Sequence, residues 1–382
     1  MPPVQSDGAL YLDKPEQVDR FLKEIAAAKE LALDTEGASF HRFLDRIYLL
    51  QLSTRERSAI LDPLPIGSPV GLGDLLQDKS VEVVFHDADY DLRLLHQDYG
   101  WHVTSIFDTR IASQLLGIKS FGLAALLEQF FDVKLDKKHQ RADWSMRPLT
   151  ADMLDYAAQD TRYLLRLKDH MTRELERRGR LHWAKEEFAR LEGTRWEAEE
   201  GMEGFLRLKG ARDLSRNELA ILREVANWRD TVAAQLDRAT FRIMGNEVLF
   251  ELARRAPKSA SELSAIKGMP KGMIERGGGE IIAAIRRGVE VPEAELPKFP
   301  RGQRWNKDRD FDERVARLKS VRDVAAARLE LDPGVLCSRE RLESIVRANP
   351  KSIEELKEVP DLRRWQIEEM GEGFLRALTA AT

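Results

Sequence analysis

The chain has 382 residues, 43% of them hydrophobic, which is enough for two or three domains with sizeable cores. It contains no run of 18 apolar residues and no basic-then-apolar leader pattern at its N-terminus, so a membrane span and secretion are not expected. Net charge is −4 but uneven: residues 1–175 carry 21 Lys+Arg against 28 Asp+Glu, and residues 176–382 carry 40 against 37, an acidic half suited to cations and a mildly basic half suited to phosphates.

In chain order, residues 16–30 show helical periodicity. Segments 31–34, 47–53, 58–62 and 81–86, rich in Val, Ile, Leu and Tyr, predict short strands. Helices are predicted over 90–99, 109–116, 123–131 and 150–178, with Asp108 and Thr150 as caps. The first three strands follow one another closely, as in a meander, and helices come after. That order predicts a mixed sheet flanked by helices, an α/β unit over 1–178.

From about residue 180 strand signals vanish and helical periodicity with Pro/Gly punctuation takes over. A repeat runs through this half at an offset of 93 residues. Pro257-Lys258-Ser259 recurs as Pro350-Lys351-Ser352, Glu262-Leu263 as Glu355-Leu356, and Arg229, Gly278 and Ala284 as Arg322, Gly371 and Ala377. Two copies of one small all-α domain are therefore expected, over 208–290 and 311–380, joined by the Pro- and charge-rich stretch 291–309. Gly277-Gly278-Gly279 has no counterpart run in the second copy, which puts nucleic-acid binding by that copy in question. Cys337 is the only cysteine. It excludes an intrachain disulfide and a thiolate metal site, and it suits a reducing cytoplasm.

Three motifs carry chemistry. In Leu31-Ala32-Leu33-Asp34-Thr35-Glu36 the two acids are two apart, so on a strand they share one face. In His86-Asp87-Ala88-Asp89-Tyr90-Asp91 a strand runs into a turn with three Asp, any of which could be a helix cap. In Tyr156-Ala157-Ala158-Gln159-Asp160 a spacing of four stacks Tyr156 and Asp160 one helical turn apart. Each is ordinary alone. Together Asp34, Glu36, Asp91 and Asp160 supply the roughly four carboxylates that hold two hard divalent cations ~4 Å apart for phosphodiester cleavage. Tyr156 is placed to orient the attacking water.

These motifs resemble those of the DEDD exonuclease superfamily in its tyrosine-bearing branch, and within it the ribonuclease D family. Asp34 and Glu36 match the D-x-E motif, Asp91 ends the second motif five residues after His86, and Tyr156 and Asp160 match Y-x-x-x-D. Asp143-Trp144-Ser145-Met146-Arg147-Pro148-Leu149 resembles that family's D-W-S-x-R-P-L stretch, and the duplicated helical half resembles its HRDC domains. One departure is Asp87, where related chains often have Asn or a small residue; it is expected to face solvent, with a shifted metal preference as the alternative.

The resemblance implies a ribonuclease H-like α/β fold followed by two HRDC-like domains. It implies two Mg²⁺ or Mn²⁺ ions, and 3′→5′ hydrolysis of RNA ends, tRNA precursors among them, to nucleoside 5′-monophosphates. A monomer and a cytoplasmic location are expected. Phe40, His41 and Phe43 are candidates to sandwich the splayed terminal nucleotide, Lys137, Lys138, Gln140 and Arg141 to touch phosphates, and His86 and Trp144 to bind substrate as well. A DNA 3′→5′ exonuclease is the nearest alternative, since no motif selects ribose. A non-catalytic RNA-binding scaffold is the other.

Overall fold

A computed structural model of the protein describes residues 5–6, 8–136, 138–197, 203–300 and 310–379. Among the described residues seven strands form one mixed sheet in the order β1-β2-β5-β4-β3-β6-β7: β1 (Gln5–Ser6), β2 (Ala9–Leu12), β3 (Glu30–Glu36), β4 (Leu49–Ser53), β5 (Ser58–Leu61), β6 (Glu82–Phe85) and β7 (Ile106–Asp108). Strand β3 lies between antiparallel β4 and parallel β6, so its apolar stem Leu31-Ala32-Leu33 is buried on both faces. Because β3, β6 and β7 run parallel, their carboxyl ends open at one edge of the sheet, and the acidic motifs sit just there.

The predicted helix 16–30 is Pro15–Ile25, since the chain must turn before β3 starts at Glu30. The predicted helix 150–178 is two, Ala151–Arg162 and Leu164–Arg177, parted at Tyr163. Strands β1, β2 and β7 were not expected. They are short, and β2 exists through parallel pairing with β5, a partner about fifty residues away. A further helix, Leu181–Leu191, buries Trp183 and Phe188 against the sheet, so packing of the α/β unit continues past residue 178.

The repeat is visible element by element. Asn246–Arg255, Ala260–Ser264 and Lys271–Val289 in the first copy answer to Arg339–Ala348, Ile353–Lys357 and Arg364–Thr379 in the second. Ser259 and Ser352 cap equivalent helices by accepting from the backbone NH of Glu262 and Glu355. Arg229 and Arg322 are both buried. The Gly277-Gly278-Gly279 run lies inside a helix, where a Cβ on Gly277 would stand 3.0 Å from the Trp228 ring. Its role there is close helix packing. Gly373 does the same against Val321 in the second copy.

The two copies are mounted differently. The first has its own core around Leu222, Leu249 and Ile281. The second shares one continuous core with the α/β unit, running from Val84 and Phe107 through Trp183 to Trp365 and Phe374. Arg180 bridges this seam by donating to the Leu115 and Leu329 carbonyls at 2.8 and 2.6 Å. Arg363 pairs with Glu187 at 3.0 Å. Gly117, at φ 76°, lets the Glu330 carbonyl approach to 2.3 Å from where a Cβ would stand. Among the described residues no helix is long and apolar enough to cross a membrane.

Candidate active site

Strand alternation aims Asp34 and Glu36 into the crevice, and Thr35 between them points the other way. The Thr35 hydroxyl donates to Asp91 Oδ1 at 2.6 Å, which draws the helix Asp89–Tyr99 onto the strand end and leaves Asp91 buried. Asp160 arrives from the helix Ala151–Arg162, one turn past Tyr156. Asp34, Glu36 and Asp160 each offer an oxygen within 4.8 Å of the others. At that separation each pair of full charges repels by about 3 kcal/mol at an effective dielectric near 20. Burial first, and neighbouring carboxylates second, hold Asp34, Glu36 and Asp91 well above the usual carboxylate range, and push Asp160 up to about 7.

The frame around this floor is rigid for identifiable reasons. Buried Asp108 ends β7, caps the helix Thr109–Leu115 through the Arg110 and Ile111 NH groups, and with its other oxygen accepts from Ala88 NH at 2.7 Å. One carboxylate thus ties the second motif's turn to the neighbouring strand. On the far side, Arg147 donates to buried Asp62 at 2.5 and 2.7 Å and to the Trp144 and Tyr48 carbonyls at 2.7 and 3.1 Å. The stretch 143–149 is a clamp that fixes the start of the Tyr156 helix, whose cap Thr150 accepts from Met153 NH. Trp144 is buried beneath Tyr156, ring centroids 6.0 Å apart. Burial, then Asp160, Glu36 and Asp34, raise the Tyr156 phenol, so it stays protonated at neutral pH.

The crevice has a volume of about 560 Å³ and is lined by Asp34, Glu36, Tyr156 and Asp160 together with His86, Arg110, Phe121 and Gln140 among others. Of the described side chains expected to hold substrate, His86 and Gln140 line it. The His86 ring bonds Thr109 Oγ1 at 2.9 Å, and burial pushes its imidazole down to about 4, so it is neutral.

The other substrate candidates lie elsewhere. Trp144 is core rather than an open stacking face. Lys138 reaches outward to Asp152 at 3.1 Å. Lys137 lies outside the described residues. Phe40, His41 and Phe43 belong to a loop against the first helical copy. Ala239 NH donates to the His41 carbonyl at 3.2 Å, Arg242 to the Phe40 carbonyl at 2.5 Å, and Phe40 meets Phe241 edge to face at 6.3 Å. Arg141 lies over the Phe40 ring at 5.1 Å, outside the crevice.

Sequence reasoning passed over Arg110 and Phe121. No local spacing links them to the acidic motifs, and only the fold brings them there. Asp87, expected to face solvent, is half-exposed and forms an ion pair with Arg110.

Three partly buried carboxylates that repel one another, backed by a fourth, form an all-oxygen donor set that suits hard divalent cations such as Mg²⁺ or Mn²⁺.

Comparison with known proteins follows the same lines. A family model described as 3′-5′ exonuclease matches residues 10–176, and the HRDC domain model matches 218–285 and 311–378. Ribonuclease D of Pseudomonas paraeruginosa is 30% identical, over 92% of each chain. Ribonuclease D of Granulibacter bethesdensis is 29% identical, over 90% of this chain and 86% of that one. The crystal structure of Escherichia coli RNase D, an exoribonuclease involved in structured RNA processing, superposes with a TM-score of 0.73 at 25% identity, over 97% of this chain and 98% of that one.

Fold and family models together define a 3′-5′ exonuclease with two HRDC domains behind its catalytic unit. The chain belongs to the ribonuclease D family and is a 3′-5′ exoribonuclease.

Proposed function

We propose that the protein shortens RNA by hydrolysing the 3′-terminal phosphodiester, releasing nucleoside 5′-monophosphates, with Asp34, Glu36, Asp91, Tyr156 and Asp160 as its machinery. The observation that carries this reading is the convergence of three acidic oxygens within 4.8 Å beside a protonated phenol. Asp34, Glu36 and Asp160, with Asp91 behind them, are the residues that would hold two Mg²⁺ or Mn²⁺ ions. When bound, such ions supply the electrostatic pull that activates water and stabilises the departing 3′-oxygen.

The chain's own groups do the rest. The Tyr156 hydroxyl, one turn from Asp160, orients the attacking water as donor and acceptor. The crevice has room for a nucleotide, and the neutral His86 ring and Phe121 offer faces for its base. Outside it, half-exposed Phe40, Phe43 and Phe241 with Arg141 and Arg242 make an aromatic and cationic rim that suits the strand upstream. We place the protein in the cytoplasm as a monomer acting on structured RNAs, tRNA precursors among them.

The test is incubation of 5′-labelled structured and unstructured RNAs, and a 2′-deoxy-terminated control, with Mg²⁺, Mn²⁺ or EDTA. A descending ladder that needs the cation and favours the ribose end supports the reading. Equal loss of the deoxy control would make it a general 3′→5′ exonuclease. Intact RNA under every condition would overturn it.

A further inference from the structure

Besides its carboxylates, the crevice contains a cation that the reaction as described does not use. Asp34, Glu36, Asp87, Asp136 and Asp160 all line the crevice, and among the described lining residues Arg110 is the one Lys or Arg. A polyanionic substrate entering so acidic a pocket meets repulsion everywhere except at the ions and at this guanidinium. Arg110 springs from the first turn of the helix Thr109–Leu115, its guanidinium carbon 5.2 Å above the centre of the Phe121 ring. Its partner is the Asp87 carboxylate.

Both partners sit on fixed frames. Asp87 occupies the left-handed region at φ 70°, a conformation that Asp and Asn tolerate better than most residues. The residues on either side of it are pinned by the His86–Thr109 bond at 2.9 Å and the Ala88–Asp108 bond at 2.7 Å. The pair itself is open to solvent, the two side chains being 36% and 53% exposed, and exposed pairs hold weakly. A phosphate, which takes a guanidinium in two parallel charge-assisted bonds, competes well for it.

We propose that Arg110 and Phe121 form a nucleotide subsite of the exonuclease, with Asp87 as a resident counter-ion that the RNA phosphate displaces. The proposal rests on the exoribonuclease reading above. Arg110 grips the phosphate, Phe121 supports the base, and Asp87 weakens the grip by competing for the same guanidinium. Asp87 thereby sets how tightly RNA is held without touching the bond that breaks.

The experiment is a double-mutant cycle on unstructured 5′-labelled RNA. It measures kcat and KM, and also RNA affinity against salt in protein carrying Asp34→Asn. Arg110→Ala should raise KM about tenfold, the scale of one lost charged hydrogen-bond set, and flatten the salt slope by about 0.7. Asp87→Asn keeps the backbone conformation accessible and should lower KM roughly two- to fivefold, the scale of one exposed pair. In the Arg110→Ala background Asp87→Asn should do nothing further, and Arg110→Lys should restore the salt slope but not the full KM.

If Asp87→Asn lowers KM equally in both backgrounds, its effect is general relief of negative charge and the subsite proposal falls. It also falls if Arg110→Ala leaves KM and the salt slope unchanged. A wild-type protein that binds RNA with these dependences yet never shortens it would overturn the exoribonuclease reading and leave the subsite standing.

Discussion

Trp183 and Trp365 stack face to face, ring centroids 4.8 Å apart and planes within 18°, one from the helix Leu181–Leu191 and the other from the helix Arg364–Thr379. The indole NH of Trp365 donates to Glu187 at 3.0 Å, so the seam is both packed and hydrogen-bonded. The second HRDC domain is thereby part of the interior of the exonuclease unit.

Trp365→Ala should cost about 3–5 kcal/mol, as large-to-small changes at fully buried aromatics do. Because the core is shared, the exonuclease unit and the second HRDC domain should unfold in one transition. Chemical denaturation followed by Trp fluorescence and by activity checks this, and two separated transitions would contradict it. A chain cut at residue 208 is the wrong probe of the HRDC domains, since it bares this core.

Asp34→Asn should lower activity by on the order of 10³-fold or more while RNA affinity stays near wild type. The metal-free variant should also melt higher than wild type, because one of three mutually repelling carboxylates is gone. Retention of more than about a tenth of the rate would remove Asp34 from the machinery.

Tyr156→Phe should slow turnover by roughly 10²-fold, less than Asp160→Asn, because the phenol is proposed to orient water whereas Asp160 is proposed to hold a cation. Titration with Mn²⁺ separates the two: Asp160→Asn should need more of it and Tyr156→Phe should not. Identical titrations would mean that the two residues do not have distinct roles.

Stability of the metal-free protein should fall as pH rises toward 8. Asp160 is pushed up to about 7 in the folded chain from an ordinary 3.8, so between those values the native state holds a proton that the unfolded chain has released. A raised acid of this kind favours folding at low pH and loses its contribution as pH passes through about 7. Melts at pH 5.5 and 8 should show a steeper loss for wild type than for Asp160→Asn, and Mg²⁺ should reverse more of the loss at pH 8. Parallel pH profiles for the two proteins would rule this out.

The acidic motifs were readable because each depends on local geometry. Two residues apart on a strand and four apart on a helix determine facing whatever the rest of the chain does. The same locality explains the capping by Asp108 and Thr150 and the matched elements of the two HRDC domains. What was misread depends on contacts across the chain. Phe40, His41 and Phe43 follow Glu36 by four to seven residues, yet their loop is turned toward the first HRDC domain by Arg242, some two hundred residues on. Trp144 was expected to bind substrate, but the Arg147–Asp62 pair folds its segment inward. Arg110 and Phe121 had no motif to announce them. Strands β2 and β7 are too short to signal themselves without the partners that create them.

The two HRDC domains also differ in what a point mutation can do to them. The first presents a turn to the rim and keeps a separate interior, so its surface can change residue by residue while the catalytic unit stays intact. The second has one face inside the exonuclease core, and at Gly117 it leaves no room even for a methyl group. A change on that face must be matched by a compensating change across the seam, so the copies that began alike are bound to drift at different speeds. In a saturation library scored for RNA decay, intolerant positions of the second domain should trace the seam, and those of the first only its own core.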